Sequence, residues 1–136
     1  MSAAAALAFT WLGMVLAISF VEAPLKFRAP GITLPLGLGI GRLVFRALNA
    51  LECVLAAAVL VLVWLGTPTT ASWVALAVVG VVLVVQLAVV RPRLNRRSEA
   101  VLAGAEGPRS HAHLVYIALE CAKVAGLVVF GVLALA

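Results

Sequence analysis

Four apolar runs, residues 4–23, 40–66, 73–90 and 114–136, are each long enough to cross a lipid bilayer. About 20 mainly apolar residues in a helix span a hydrocarbon core of about 30 Å. Lipid offers no partner to a stray backbone N–H or C=O, so open chains cross it as helices. Composition agrees: 65% of the 136 residues are hydrophobic and 11% charged, where a soluble domain carries roughly a quarter. The chain therefore reads as an all-α integral membrane protein, one domain over 1–136 with four transmembrane helices. The first run is not a signal peptide. It lacks a basic leader, and Glu22-Ala23-Pro24-Leu25 offers no small-residue cleavage site.

Ten Lys and Arg against five acidic residues, none of them Asp, give a net charge of +5. These charges punctuate apolar stretches and form no basic patch interleaved with aromatics, which argues against nucleic acid as a partner. Lys26, Arg28, Arg42 and Arg46 flank the first connection, and Arg91, Arg93, Arg96, Arg97 and Arg109 flank the third, whereas residues 67–72 carry no charge. The positive-inside rule puts the basic connections in the cytoplasm and both termini outside, in an inner or plasma membrane.

The tetrapeptide Ala-Leu-Glu-Cys occurs at 50–53 and again at 118–121, 68 positions later. Laying 1–68 over 69–136 without a gap also aligns Pro24 with Pro92, Arg28 with Arg96 and Gly39 with Gly107. Two helices per half keep the orientation, so the pattern predicts a parallel two-helix repeat about an axis along the membrane normal.

Ionisable groups within spans are expensive and face a bundle interior. At about 100° per residue, Arg42, Arg46, Asn49 and Glu52 share a sector of the second helix. His113, Tyr116, Glu120 and Lys123 share a face of the fourth, and Ser19, Glu22 and Lys26 one of the first; the third offers Gln86. A rise of about 1.5 Å per residue sets Glu52 level with Lys123, and Glu120 level with Arg46 or Asn49. The expected ion pairs are thus Glu52 with Lys123 and Glu120 with Arg46. Glu22, Arg42, Arg46, Asn49, Glu52, His113, Tyr116, Glu120 and Lys123 form the candidate ligand-binding set. Arg42 and Arg46 would attract an anion, Asn49 and Tyr116 orient it, and Glu52, Glu120 and Lys123 switch charge.

Other patterns carry less. Cys53 and Cys121 stand about 100° from their glutamates and read as small hydrophobes; a soft-metal site with His113 lacks ligand spacing. No Glu-x-x-His pair supports a dimetal centre, so no metal site is assigned. No cofactor motif or Ser-His-Asp set is apparent. Gly37-Leu38-Gly39-Ile40-Gly41, between Pro35 and the second span, predicts an irregular hairpin. Pro24 predicts an end or kink of the first helix, and residues 98–102 a short interfacial helix.

Residues 20–28, Gly41-Arg42-Leu43-Val44-Phe45, Val90-Arg91-Pro92-Arg93 and His113 together resemble small bacterial four-helix membrane proteins distantly similar to the transmembrane-protein-205-like group. That resemblance implies four spans and, in the wider group, handling of soft metals or drugs. Arg46-Ala47-Leu48-Asn49-Ala50-Leu51-Glu52 is similar to the second-helix motif of the membrane-associated eicosanoid and glutathione metabolism enzymes, whose Arg, Asn and Glu hold glutathione. Here Leu48 alone separates Ala47 from Asn49, where that family has two residues.

The expected function is binding or transport of a small polar or anionic solute, or a metal–thiol species, through a cytoplasm-facing polar pocket. A glutathione- or lipid-using membrane enzyme and a structural subunit of a membrane complex are the alternatives. The small residues Ala3 to Ala6 predict close helix contacts between copies, in a homodimer or homotrimer.

Overall fold

The computed structural model describes residues 1–104 and 111–136; Arg109, one of the flanking charges, and Gly107, one of the aligned glycines, lie outside them. Four helices are long and apolar enough to cross a membrane: α1 (Ser2–Arg28), α2 (Leu34–Leu65), α3 (Thr70–Leu102) and α4 (His111–Leu135). No strand occurs among the described residues. This is an all-α four-helix membrane protein. Outward-facing side chains are apolar, with Leu43, Trp64, Leu65, Val81 and Val84 more than half exposed.

Both prolines that follow a span are absorbed rather than obeyed. A proline lacks an N–H and its ring crowds the carbonyl four residues back, here Phe20 for Pro24 and Ala88 for Pro92. Each of those carbonyls lies in a wide π-helical turn, Leu16–Glu22 in α1 and Gln86–Val90 in α3. Such a turn takes in one extra residue and moves the misfit out of the hydrogen-bond ladder. An end at Pro24 is therefore corrected: α1 runs on to Arg28, closing in a 3₁₀ turn over Lys26–Arg28, and the irregularity is the π turn just before the proline.

Two further expectations change. The glycine-rich stretch is helical, because α2 begins at Leu34. Thr33 caps it, its Oγ1 accepting from the Leu36 N–H at 3.3 Å, and Pro35 sits in the first turn, where its missing donor does no harm. Gly37 is buried beneath the Phe27 ring, and a Cβ there would overlap it. Residues 98–102 are likewise no separate helix but the end of α3. At about 1.5 Å per residue its 33 residues reach about 50 Å, so the polar Arg91–Leu102 segment projects past a core of about 30 Å.

In space the helices run in the order α2, α1, α4, α3. α4 packs extensively on both α3 and α1, and α2 packs against α1. Trp11, Val15, Val59, Val79, Leu127 and Phe130 fill the core. Ala4 and Ala5 are buried within this bundle, leaving Ala3 and Ala6 of the small-residue stripe at the surface. The spanning parts of α2 and α3 pack little on each other, although the turn between them is short and Thr69 caps α3 through its Oγ1, 3.1 Å from the Ser72 N–H. Beside that turn, Trp64 and Trp73 meet edge to face at 6.5 Å, as aromatic residues do at a membrane boundary.

The α3–α4 contact is close. A Cβ on Gly126 would stand 2.7 Å from Cγ2 of the buried Val79, whereas one on Gly80 meets nothing within 4 Å. Gly126→Leu is expected to destabilise the bundle by about 1–3 kcal/mol through overpacking. Gly80→Ala should be neutral or slightly stabilising. Thermal unfolding in mild detergent, followed by circular dichroism, compares the two.

Candidate functional site

At the middle of the bundle an ammonium group is held between two carboxylates. Lys123 Nζ lies 2.5 Å from Glu52 Oε2 and 2.6 Å from Glu120 Oε1, and donates to Gln86 Oε1 at 2.8 Å. The Trp11 indole N–H donates to Glu52 Oε2 at 2.8 Å. Ser19 Oγ donates to Glu120 Oε2 at 2.7 Å, and Gln86 Nε2 reaches Glu120 Oε1 at 3.4 Å. Glu52, Glu120, Gln86 and Lys123 are each at most 2% exposed. Every helix contributes: Trp11 and Ser19 from α1, Glu52 from α2, Gln86 from α3, Glu120 and Lys123 from α4. Ser19 and Gln86 both lie in the π turns, which therefore aim two of the donors.

A second polar site opens at the basic end. A groove of about 500 Å³ between α2 and the projecting part of α3 is lined by Arg42, Arg46 and Asn49 with Arg91 and Asn95, and by Gly39, Leu43 and Leu102. Arg42 reaches across to Glu99 at 3.2 Å and ties the two helices together. The Arg91 guanidinium lies between the Phe45 and Tyr116 rings, 4.8 and 4.6 Å from their centres. These rings meet edge to face at 5.9 Å. The aromatic bracket holds the charge by cation–π attraction but offers no acceptor. Arg91 Nε and Nη2 are buried with no hydrogen-bond partner among the described residues. Asn49 borders the groove and Glu52 belongs to the centre, one helical turn apart on α2.

The single site expected from the sequence is thus two. Arg42, Arg46 and Asn49 face the groove; Glu52, Glu120 and Lys123 form the centre; the Tyr116 ring lies under Arg91. Glu22 stands apart, 3.7 Å from Lys26, whose Nζ approaches the Phe27 and Phe45 rings. His113 is half-buried about one turn before Tyr116. The Glu52–Lys123 pair is present as expected. The Glu120–Arg46 pair is not: Arg46 is exposed in the groove, and Lys123, three residues along the same helix, reaches Glu120 instead.

Trp11, Arg91 and Asn95 escaped the sequence reading. Trp11 looks like core and Arg91 like one more flanking charge, and Asn95 falls in a stretch that reads as a connection. Cys53 and Cys121 are both exposed on the outer face, away from the centre. Among the described residues no three His, Cys or Glu side chains gather as a metal site. No protein-family model, curated protein or solved structure matches the chain.

Removing one member of a buried ion pair leaves the other uncompensated, at about 3–5 kcal/mol. Lys123→Leu takes the cation from Glu120 and a donor from Glu52, so its destabilisation should be at least that large. Adding Glu52→Leu alone leaves Glu120 stranded. The triple variant Lys123→Leu, Glu52→Gln, Glu120→Gln should regain most of the loss. Unfolding by denaturing detergent measures all three, and a Lys123→Leu protein of unchanged stability would refute the paired centre.

Proposed function

We propose that this chain binds, and moves, a small anionic solute that enters through the groove between α2 and α3. The unmade hydrogen bonds of Arg91 support this reading most directly. A half-buried guanidinium with two enclosed donors idle is costly unless a ligand completes it, and its planar fork suits a carboxylate, phosphate or sulfate oxygen pair. Arg46, beside it, adds charge, and Asn49 and Asn95 add amides that fix orientation. Further along the same α2–α3 seam, beyond the centre, lies an apolar groove of about 360 Å³ lined by Trp11, Ala56, Leu60, Trp73 and Leu76 among others. A cleft at each end with a closed polar centre between them suits a carrier better than a structural subunit.

A glutathione-handling role is the second reading, favoured by Arg46 and Asn49 lining one groove. It is weakened at Glu52, whose Oε2 is already taken by Trp11 and Lys123. We also infer a parallel two-helix repeat. It is supported by π turns that end at Glu22 and Val90, 68 positions apart, each two residues before a proline.

The binding test uses inorganic sulfate, inorganic phosphate and reduced glutathione as probes, by calorimetry on the detergent-solubilised full chain. A hydrogen bond to a charged group contributes about 1.5–3 kcal/mol, so Arg91→Gln and Arg46→Gln should each weaken anion binding tenfold or more while leaving the fold intact. Arg91→Lys should recover it only in part, a point charge replacing a fork. Unchanged binding in Arg91→Gln counts against the site, and a strong preference for glutathione over both inorganic anions favours the second reading.

The basic end is assigned to the cytoplasm and both termini to the opposite side. A carboxyl-terminal fusion to a phosphatase active only outside the cytoplasm should be active, and the corresponding fusion to a fluorescent protein that matures only inside should be dark. The reverse pattern would invert the assignment and put the groove outside.

A further inference from the structure

The central cluster has two carboxylates and one ammonium, so with all three groups ionised it carries one negative charge too many. Its neighbours do not correct this. From α1 it meets Trp11 and Ser19, and from α3 Gln86, all neutral. From α4 it meets Glu120 and Lys123 themselves, with Tyr116 one turn on. Of the cations on facing helices, Arg91 is held over the Phe45 and Tyr116 rings and Lys26 lies beside Glu22 and the Phe45 ring. An uncompensated charge enclosed by apolar helices is resolved by taking up a counter-charge.

The hydrogen bonds say which carboxylate takes it. Glu120 accepts on both oxygens, from Lys123 and Gln86 on Oε1 and from Ser19 on Oε2. Its three donors leave neither oxygen bare. Glu52 receives both its donors, Trp11 and Lys123, on Oε2 alone. Its Oε1 is buried with no hydrogen-bond partner among the described residues, and Glu52 as a whole is 0% exposed. A bare anionic oxygen is the least favourable group to enclose; a neutral acid at that place removes the charge.

We infer that the centre is a proton-binding site: one exchangeable proton sits on Glu52 at neutral pH, and Glu120 and Lys123 form the ionised pair beside it. The reaction is a simple protonation, with the carboxylate of Glu52 taking a proton from water and returning it. This site is separate from the anion groove and stands whether or not the groove binds an anion.

Infrared spectroscopy of the full chain in lipid nanodiscs reads protonated carboxyls by their carbonyl stretch, identified by its shift in D₂O. With five glutamates and no aspartate in the chain, the background is small. The wild type should show one such band at neutral pH. Glu52→Gln should abolish it, and so should Glu120→Gln, because one carboxylate then faces one ammonium. Lys123→Gln should double it. The isosteric Glu52→Gln carries the test alone if Lys123→Gln does not fold. Trp11, made the sole indole by Trp64→Phe and Trp73→Phe, locates the proton. Its emission should change as Glu52 takes up or releases the proton, and Glu52→Gln should remove that change. A folded wild type without the band, or a band indifferent to Glu52→Gln, overturns the inference. So does a missing band combined with stability that rises with added Na⁺ or K⁺, which would make the counter-charge a metal cation.

Discussion

The contact of Lys123 with Glu52 and Glu120 is the one interaction that the rest of the bundle cannot do without. Between apolar helices in lipid, burial gives little preference for one packing over another, because lipid tails are as apolar as leucine. Small residues and polar ties then decide register. Here one amino group ties α2 and α3 to α4, through Glu52 and Gln86, and the indole of Trp11 and the hydroxyl of Ser19 bind α1 to the same two carboxylates. Sliding any helix by one turn would strand at least one of these groups. The surrounding core of Val15, Val59, Val79 and Leu127 is compatible with the tie but would not by itself choose it.

That tie also explains how α2 and α3 can stay apart. They are neighbours in sequence, yet each leans on a different member of the α1–α4 pair. They meet through the centre at mid-height and through Arg42 and Glu99 at the basic end. Between these points the seam is free to be a groove. In the half where α3 outruns the hydrocarbon the lining is arginine and asparagine; in the other it is alanine, leucine and tryptophan.

Spans, the lopsided charge and the Glu52–Lys123 pair were legible because they depend on composition and on depth along an axis, which a sequence displays directly. Side-chain direction was less so. A constant 100° step holds along α2, where Arg42, Arg46 and Asn49 do share the groove. It fails across the π turns of α1 and α3, where an extra residue shifts everything beyond it. Ser19 reads as tied to Glu22 for that reason, whereas Gln86 stands alone because its apolar span offers no second hydrogen-bonding residue at its level. Glu120 was matched by depth to Arg46, but a lysine three residues along its own helix was nearer. Trp11 was invisible for a different reason: an indole counts as apolar until its one N–H finds an acceptor. Arg91 hid among the flanking basic residues, since only the extension of α3 past the bilayer turns that stretch from a connection into a wall.

The wide turns also bear on how such a chain tolerates changes of length. A π turn holds one residue more than an α-helical turn needs, so deleting a residue within Leu16–Glu22 or Gln86–Val90 would leave an unbroken helix on both sides. The proline misfit would return to the ladder, and the two ends would rotate by about 100° relative to each other. In α1 that would turn Trp11 and the basic Lys26 end out of their common frame. In α3 it would swing Arg91 and Asn95 away from the face that Val79 and Leu83 set. A single-residue deletion at either place would therefore act as a discrete rotation between the centre and the groove, decisive for which side chains meet.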